Sequence, residues 1–322
     1  MRLAAALAIL GVAFSARADS VSNEIFVNAA QAIGATPRSS LFTDTLRASF
    51  DLGEDWTLSA AGSLTLPGAS TRYGDRGSAV TLFTLGADWS ATENLTLGVT
   101  ADISPKSTQF AETVATLRNG QTVADGEIRS ETSQLGLGTV ISWDTLGSSN
   151  LEWSFDLGLD FSHYAIDQSV AVVGSRPGAQ QPRQGSLDFE RVSGTVLATL
   201  FADTDLSLSG DYYFYNQDPA LSGDFALATQ GRAPNLPIAP LQYLVQPEVL
   251  HRFGSFSAKA WLQAGQYVAG TGNGTAAVGL KLQYRFTKAW RAWVTAAGQR
   301  DVDAGQNVTR SGTISVGAGY RW

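Results

Sequence analysis

The chain has 322 residues, with 22 Lys and Arg against 29 Asp and Glu for a formal net charge of −7, and it contains no cysteine. An acidic chain of this kind is excluded as a nucleic-acid binder, which needs a basic face. The missing cysteine rules out a disulfide framework and an N-terminally acylated lipoprotein, while 33 Gly and a single Met favour strands and turns over helices.

Met1 and Arg2 open the chain, residues 3–15 (LAAALAILGVAFS) form an apolar run, and Ala16-Arg17-Ala18 is a small-x-small site. That is the layout of a secretory signal peptide, and the run is short for a spanning helix. The reading is a signal peptide over 1–18 and one domain over 19–322, with an uncleaved membrane anchor as the alternative.

Beyond residue 40 the dominant signal is alternation of apolar and polar residues with period two. It runs over 43–52, 56–66, 95–104, 134–144, 151–162, 206–214, 275–286 and 308–322, with weaker copies at 81–89, 192–202, 242–249, 256–264 and 290–296. In LEWSFDLGLDFS (151–162) every odd position is apolar and every even one is polar or glycine. Most repeats are about ten residues or longer, enough to cross a bilayer when tilted. A soluble half-buried sheet alternates too, so the connections matter. They switch between short (near 53–55, 91–94, 147–150, 203–205, 254–255 and 287–289) and long (near 68–77, 105–130, 164–185, 217–240, 268–274 and 301–307). Short turns at one end and long loops at the other are the habit of outer-membrane barrels, with the short turns periplasmic and the long loops extracellular.

Aromatic residues cluster beside the short turns. Trp56, Trp89, Trp143, Trp153, Phe256, Phe286 and Trp290 all fall on the apolar faces of their strands, and counting Trp322 six of the eight Trp lie at one end. Amphipathic rings belong at the headgroup level, whereas a packed soluble core has no reason to gather them there.

The chain stops inside a strand. Ile314, Val316, Ala318, Tyr320 and Trp322 face one way, and Thr313, Ser315, Gly317, Gly319 and Arg321 the other. In this the sequence resembles the bacterial outer-membrane proteins in general, many of which end in an alternating strand with a terminal Phe or Trp. The resemblance implies that the barrel-assembly machinery takes up the last strand and that membrane lipid and lipopolysaccharide surround the chain. The fold class is therefore all-β, a transmembrane antiparallel up-and-down β-barrel. About thirteen strands are countable from residue 41. A last strand that ends in the periplasm requires one more upward strand, and 23–33 supplies it, with Ile25, Val27, Ala29 and Ile33 on one face. The count is fourteen, with twelve as the rival.

Within the long loop at 105–130, Asn119-Gly120 is a strong hairpin signal, so a two-stranded flap is expected above the membrane. Pro247 sits inside a strand and should mark an edge or a bulge.

If apolar residues meet lipid, polar ones line the lumen. The predicted pore lining has an acidic wall of Asp88, Asp102, Asp144, Glu152, Asp156, Asp160 and Asp211. It faces a basic wall of Arg47, Lys259, Lys281, Arg285, Arg291 and Arg321. Opposed charges put a transverse field across the water and tune selectivity. The bland alternative is that they solvate a plugged interior. Trp261 and Trp293 also fall on this face, either as phase errors or as constrictions.

No catalytic set emerges. A triad needs a His within reach of a nucleophile, and the only two histidines are His163 and His251. Ser162 and His163 are neighbours in a strand and point to opposite faces. Asp301-Val302-Asp303-Ala304-Gly305 lacks the ligands of a calcium loop, and 270–274 lacks a βαβ unit around its glycines. No enzyme activity, cofactor or metal is expected. The function read from the pattern is passive passage of small hydrophilic solutes through a monomeric porin-like barrel. Two readings stand beside it: a surface-interaction or export-accessory barrel that guides a polymer or an apolar solute, and a hydrolase centred on His163.

Overall fold

The computed structural model describes residues 20–32, 38–67, 80–116, 122–144, 153–174, 183–200, 203–216, 241–268, 274–302 and 308–321. The predicted leader, Glu152 and Trp322 lie outside them. Fourteen strands are present: β1 (Ser20–Ala32), β2 (Arg38–Leu52), β3 (Trp56–Pro67), β4 (Val80–Thr92), β5 (Leu95–Thr116), β6 (Thr122–Asp144) and β7 (Trp153–Gly174). They continue as β8 (Arg183–Leu200), β9 (Thr204–Tyr215), β10 (Leu241–Phe253), β11 (Phe256–Tyr267), β12 (Gly274–Arg285), β13 (Trp290–Val302) and β14 (Val308–Arg321). Each strand pairs antiparallel with its neighbours in sequence, and β1 pairs with β14, which closes the barrel. Closure leaves no open edge for an unpaired backbone in lipid. The fourteen-strand count holds, and the N-terminal segment is a wall strand.

Directly opposed residues share a face, so one assignment propagates round the barrel. The outer face is apolar and uncovered: Leu262 is 58% exposed and Ile314 60%. Among the described residues the buried hydrophobics are Ala48, Leu64, Phe189 and Tyr213, which is no soluble core. At the short-turn rim Trp56 stacks on Trp89 at 6.2 Å, Tyr284 meets Phe286 at 4.9 Å, and Trp290 meets Tyr320 at 4.7 Å. Trp143 and Phe256 are exposed on the same rim, with Phe256 6.3 Å from Phe253. Two rim turns rest on glycines at positive φ, Gly53 (76°) and Gly254 (62°), a conformation that suits glycine.

The upper side of the apolar band is set by length. The tenth residue up from the rim on the outer face is His163 on β7, Glu190 on β8, Gln266 on β11, Arg300 on β13 and Arg310 on β14. Ten residues at about 3.3 Å each, tilted by about 40°, rise about 25 Å, the height of the hydrocarbon band of an outer-membrane barrel.

Two expectations need correction. The segments 105–130 and 164–185 are mostly strand: β5 and β6 stay paired out to Thr116 and Thr122, β6 and β7 to Gly126 and Gly174, β7 and β8 to Val170 and Arg183. The expected two-stranded flap is a four-stranded extension of the wall. Pro105 falls inside β5 where the register slips between Ser104 and Ser107, a bulge at a residue with no N–H to give. Pro247 marks neither an edge nor a bulge. It sits in register with Leu208, and only the ladder to β11 lapses, at Gln246 and Pro247, so the missing N–H faces β11.

Candidate pore lining

Side chains on the inner face of β4 to β9 carry most of the acids. Asp88, Asp102, Asp144, Asp160 and Asp211 all project there by register. Asp156 stands opposite Asp144 in the ladder. The wall is hydrogen-bonded: Thr84 Oγ1 donates to Asp102 at 2.6 Å and Ser193 Oγ to Asp211 at 2.5 Å. Asp160 accepts from the Ser162 hydroxyl and from Arg191 Nη2 at 3.3 Å. Asp88 leans over Gly98 of β5, in the space a Cβ there would fill.

The opposite half, β10 through β14 to β2, carries Lys259, Lys281, Arg285, Arg291, Arg321 and Arg47 on its inner face. It is not uniformly basic. Glu24 on β1 accepts from Arg291 and, at 3.3 Å, from Arg47. Glu248 on β10 pairs with Lys259 at 2.6 Å. The bridge from Glu24 to Arg291 skips a strand and passes over Gly319 of β14, which has no side chain to block it. Near the short-turn mouth Arg252 donates to Asp205, which Thr199 also caps at 3.0 Å.

Glu24, Glu248, Asp205, Arg191 and Arg252 escaped the predicted lining. Parity with Ile25 and Val27 puts Glu24 inside, and parity with Val249 does the same for Glu248; both were readable once those weak strands were accepted.

Trp261 and Trp293 do face the lumen, so their phase was right. Both lie flat along the wall. A Cβ on Gly279, opposite Trp261, would overlap that indole, and a Cβ on Gly317, opposite Trp293, would overlap the other. Lys281 Nζ stands 4.7 Å from the Trp293 ring centre, a cation–π distance. Toward the outer mouth Phe189, Tyr213 and Tyr215 form an inward aromatic cluster with ring centres 5.7 to 6.5 Å apart.

The histidines stay out of this chamber. His163 faces outward opposite Glu190, while Ser162 faces in. His251 Nδ1 lies 2.8 Å from Thr204 Oγ1 on the outer face of the rim. Asp301 accepts from the Tyr267 hydroxyl and from Gln299, both at 2.9 Å. Among the described residues no three His, Cys, Asp or Glu side chains converge as a metal site.

No family model matches the chain, and no curated protein matches it by sequence. Solved structures share its fold. The Ralstonia pickettii toluene transporter TbuX aligns at 11% identity over 95% of this chain and 89% of its own, with a TM-score of 0.51. The P. putida toluene transporter TodX gives 13%, 96%, 91% and 0.50. The translocator domain of the autotransporter NalP from Neisseria meningitidis gives 10%, 99%, 96% and 0.50. Identities this low speak for fold alone. Together with the exposed apolar band and its aromatic rim, that fold places the chain in a bacterial outer membrane.

Proposed function

We propose that the barrel is a porin-like channel for passive passage of small hydrophilic solutes. The observation that carries this reading is the lumen wall: acids on β4 to β9 face bases on β10 to β2, and the two inward indoles, Trp261 and Trp293, lie along the wall. Fourteen strands enclose more than side chains can fill, since about eight are just filled. Two walls of opposite sign hold a transverse field in the water between them and orient dipolar solutes. In this reading residues 1–18 are a signal peptide, β14 is handed to the barrel-assembly machinery, and the chain works as a monomer with no cofactor and no chemical step.

Planar-bilayer recording of purified protein tests it. Discrete conductance steps are expected, and their absence across all preparations that retain the folded barrel sinks the channel.

One observation favours a second reading. Phe189, Tyr213 and Tyr215 pack together on the inward side near the outer mouth, with Phe189 and Tyr213 buried, so the wall there is aromatic, and two of the similar structures are described as toluene transporters. Uptake of toluene into vesicles that exclude small sugars would select that reading.

A further inference from the structure

Two arginines face each other on the outside of the barrel. Arg300 of β13 is directly opposite Arg310 of β14, and both side chains are exposed. Their face is fixed by parity: Trp290, Val294 and Ala296 share it on β13, and Ile314, Val316 and Tyr320 on β14. Like charges directly opposed across an antiparallel pair are destabilising. Among the described residues, the outward positions next to this pair are Ala276, Gly298, Gly312, Val302 and Val308, none of them acidic. The arrangement contrasts with His163 and Glu190 at the same height across the barrel, where a carboxylate accompanies the ring. It contrasts also with the lumen, where Arg291, Arg47 and Lys259 each hold a glutamate.

Depth says what could balance the two charges. Both arginines stand ten residues above the aromatic rim, at about 25 Å, the upper edge of the apolar band. Lipid phosphates lie at that level. Beneath the arginines Gly298 and Gly312 are paired, and a Cβ on either would meet nothing within 4 Å. The outer wall is therefore bare backbone for one step, a shallow trough that leads down from the cations to Ala296 and Ile314.

We propose that Arg300 and Arg310 clamp the phosphate of an outer-leaflet lipid that carries a phosphomonoester headgroup, with its acyl chain seated over Gly298 and Gly312. Guanidinium forks match phosphate oxygens in pairs. A phosphomonoester carries about −1.5 to −2 charges and so balances two arginines, which a diester with one charge does not. This site is on the lipid face and is independent of what passes through the lumen.

The test uses the full chain in detergent, with doubly phosphorylated lipid A, the same lipid dephosphorylated, and inorganic phosphate as probes, and native mass spectrometry as readout. Wild type is expected to retain phosphorylated lipid A over the dephosphorylated form. Each of R300Q and R310Q should weaken that retention about tenfold, the worth of one charged hydrogen-bonded contact. The heat-modifiable gel shift that reports the folded barrel should be unchanged. If the double variant does not assemble, R300K/R310K carries the test. Lysines keep the charge but lose the fork, so an intermediate loss is expected. Equal retention by the variants overturns the proposal. So does full displacement of lipid by inorganic phosphate, which would make this a free-anion site, or a dimer that the substitutions dissolve, which would assign the patch to a second copy.

Discussion

The indole of Trp261 lies across Gly279 of the neighbouring strand, in the space where any other residue would place its Cβ. The same relation joins Trp293 to Gly317 two strands away. Glycine therefore makes room for each of these two inward indoles against the wall.

Gly279→Val should push the Trp261 ring off the wall into the lumen. In a porin-like channel the single-channel conductance then falls, with an overpacking cost of about 1–3 kcal/mol in stability. Trp261→Ala alone should not lower conductance, and the double variant should return it to the wild-type level or above. If Gly279→Val conducts like wild type, the ring has somewhere else to go and the glycine does not set the bore.

Charge on the basic side is held down by Glu24, which pairs with both Arg291 and Arg47. Glu24→Gln leaves those guanidiniums and the nearby Lys281 without that counter-charge. Reversal potentials in a salt gradient should move toward anion preference at about 0.1 M KCl, where the Debye length is about 10 Å. The shift should nearly vanish at about 1 M, where it is about 3 Å. Stability should change by less than about 1 kcal/mol, because these pairs are partly exposed. A shift that persists at high salt would point to a steric origin.

How much of this was legible depends on where lipid meets the chain. Within the bilayer most outward residues are apolar, so period two wrote the strands into the sequence, and the count of fourteen followed from the terminal strand and the parity it imposes. Above the bilayer that pattern ends. Residues 105–116 and 122–133 (PKSTQFAETVAT and TVADGEIRSETS) are strand, yet their sequence puts polar residues at both odd and even positions, so they read as loop. The lumen charges were visible by the same parity, but their pairing was not. Glu24 and Arg291 are 267 residues apart and meet only because β1 closes on β14. No local pattern encodes that register.

Pro247 offers a test of the wall itself. It faces outward and interrupts only the ladder to β11. Pro247→Val restores an N–H on that side and keeps an apolar side chain toward lipid. The expected gain is about 0.5–1.5 kcal/mol, one net hydrogen bond, read from reversible urea unfolding in lipid vesicles. Slower amide exchange at Leu262 on β11 should accompany it. A loss of stability would mean that the fixed φ of proline is worth more at this position than the bond it omits.

Below the upper edge marked by Glu190, the outer face of the described residues also holds an acid, Asp44, that the apolar pattern does not anticipate. Asp44 is in register with Ile25 and Leu64, both outward, and Asn23 Nδ2 donates to its Oδ1 at 2.7 Å. Asn23 shares that face with Ile25 and Val27. A carboxylate toward lipid is tolerable only while it is hydrogen-bonded. Asn23→Ala should therefore destabilise the barrel by about 1–3 kcal/mol, the cost of an acceptor left unsatisfied. Asn23→Leu with Asp44→Leu together should be no less stable than wild type, since two apolar side chains replace a pair that must be kept out of hydrocarbon. The cycle between the single and double variants measures the coupling directly. A coupling near zero, with Asp44→Leu alone already stabilising by the full amount, would mean that Asp44 is solvated by water and that Asn23 contributes nothing to holding it.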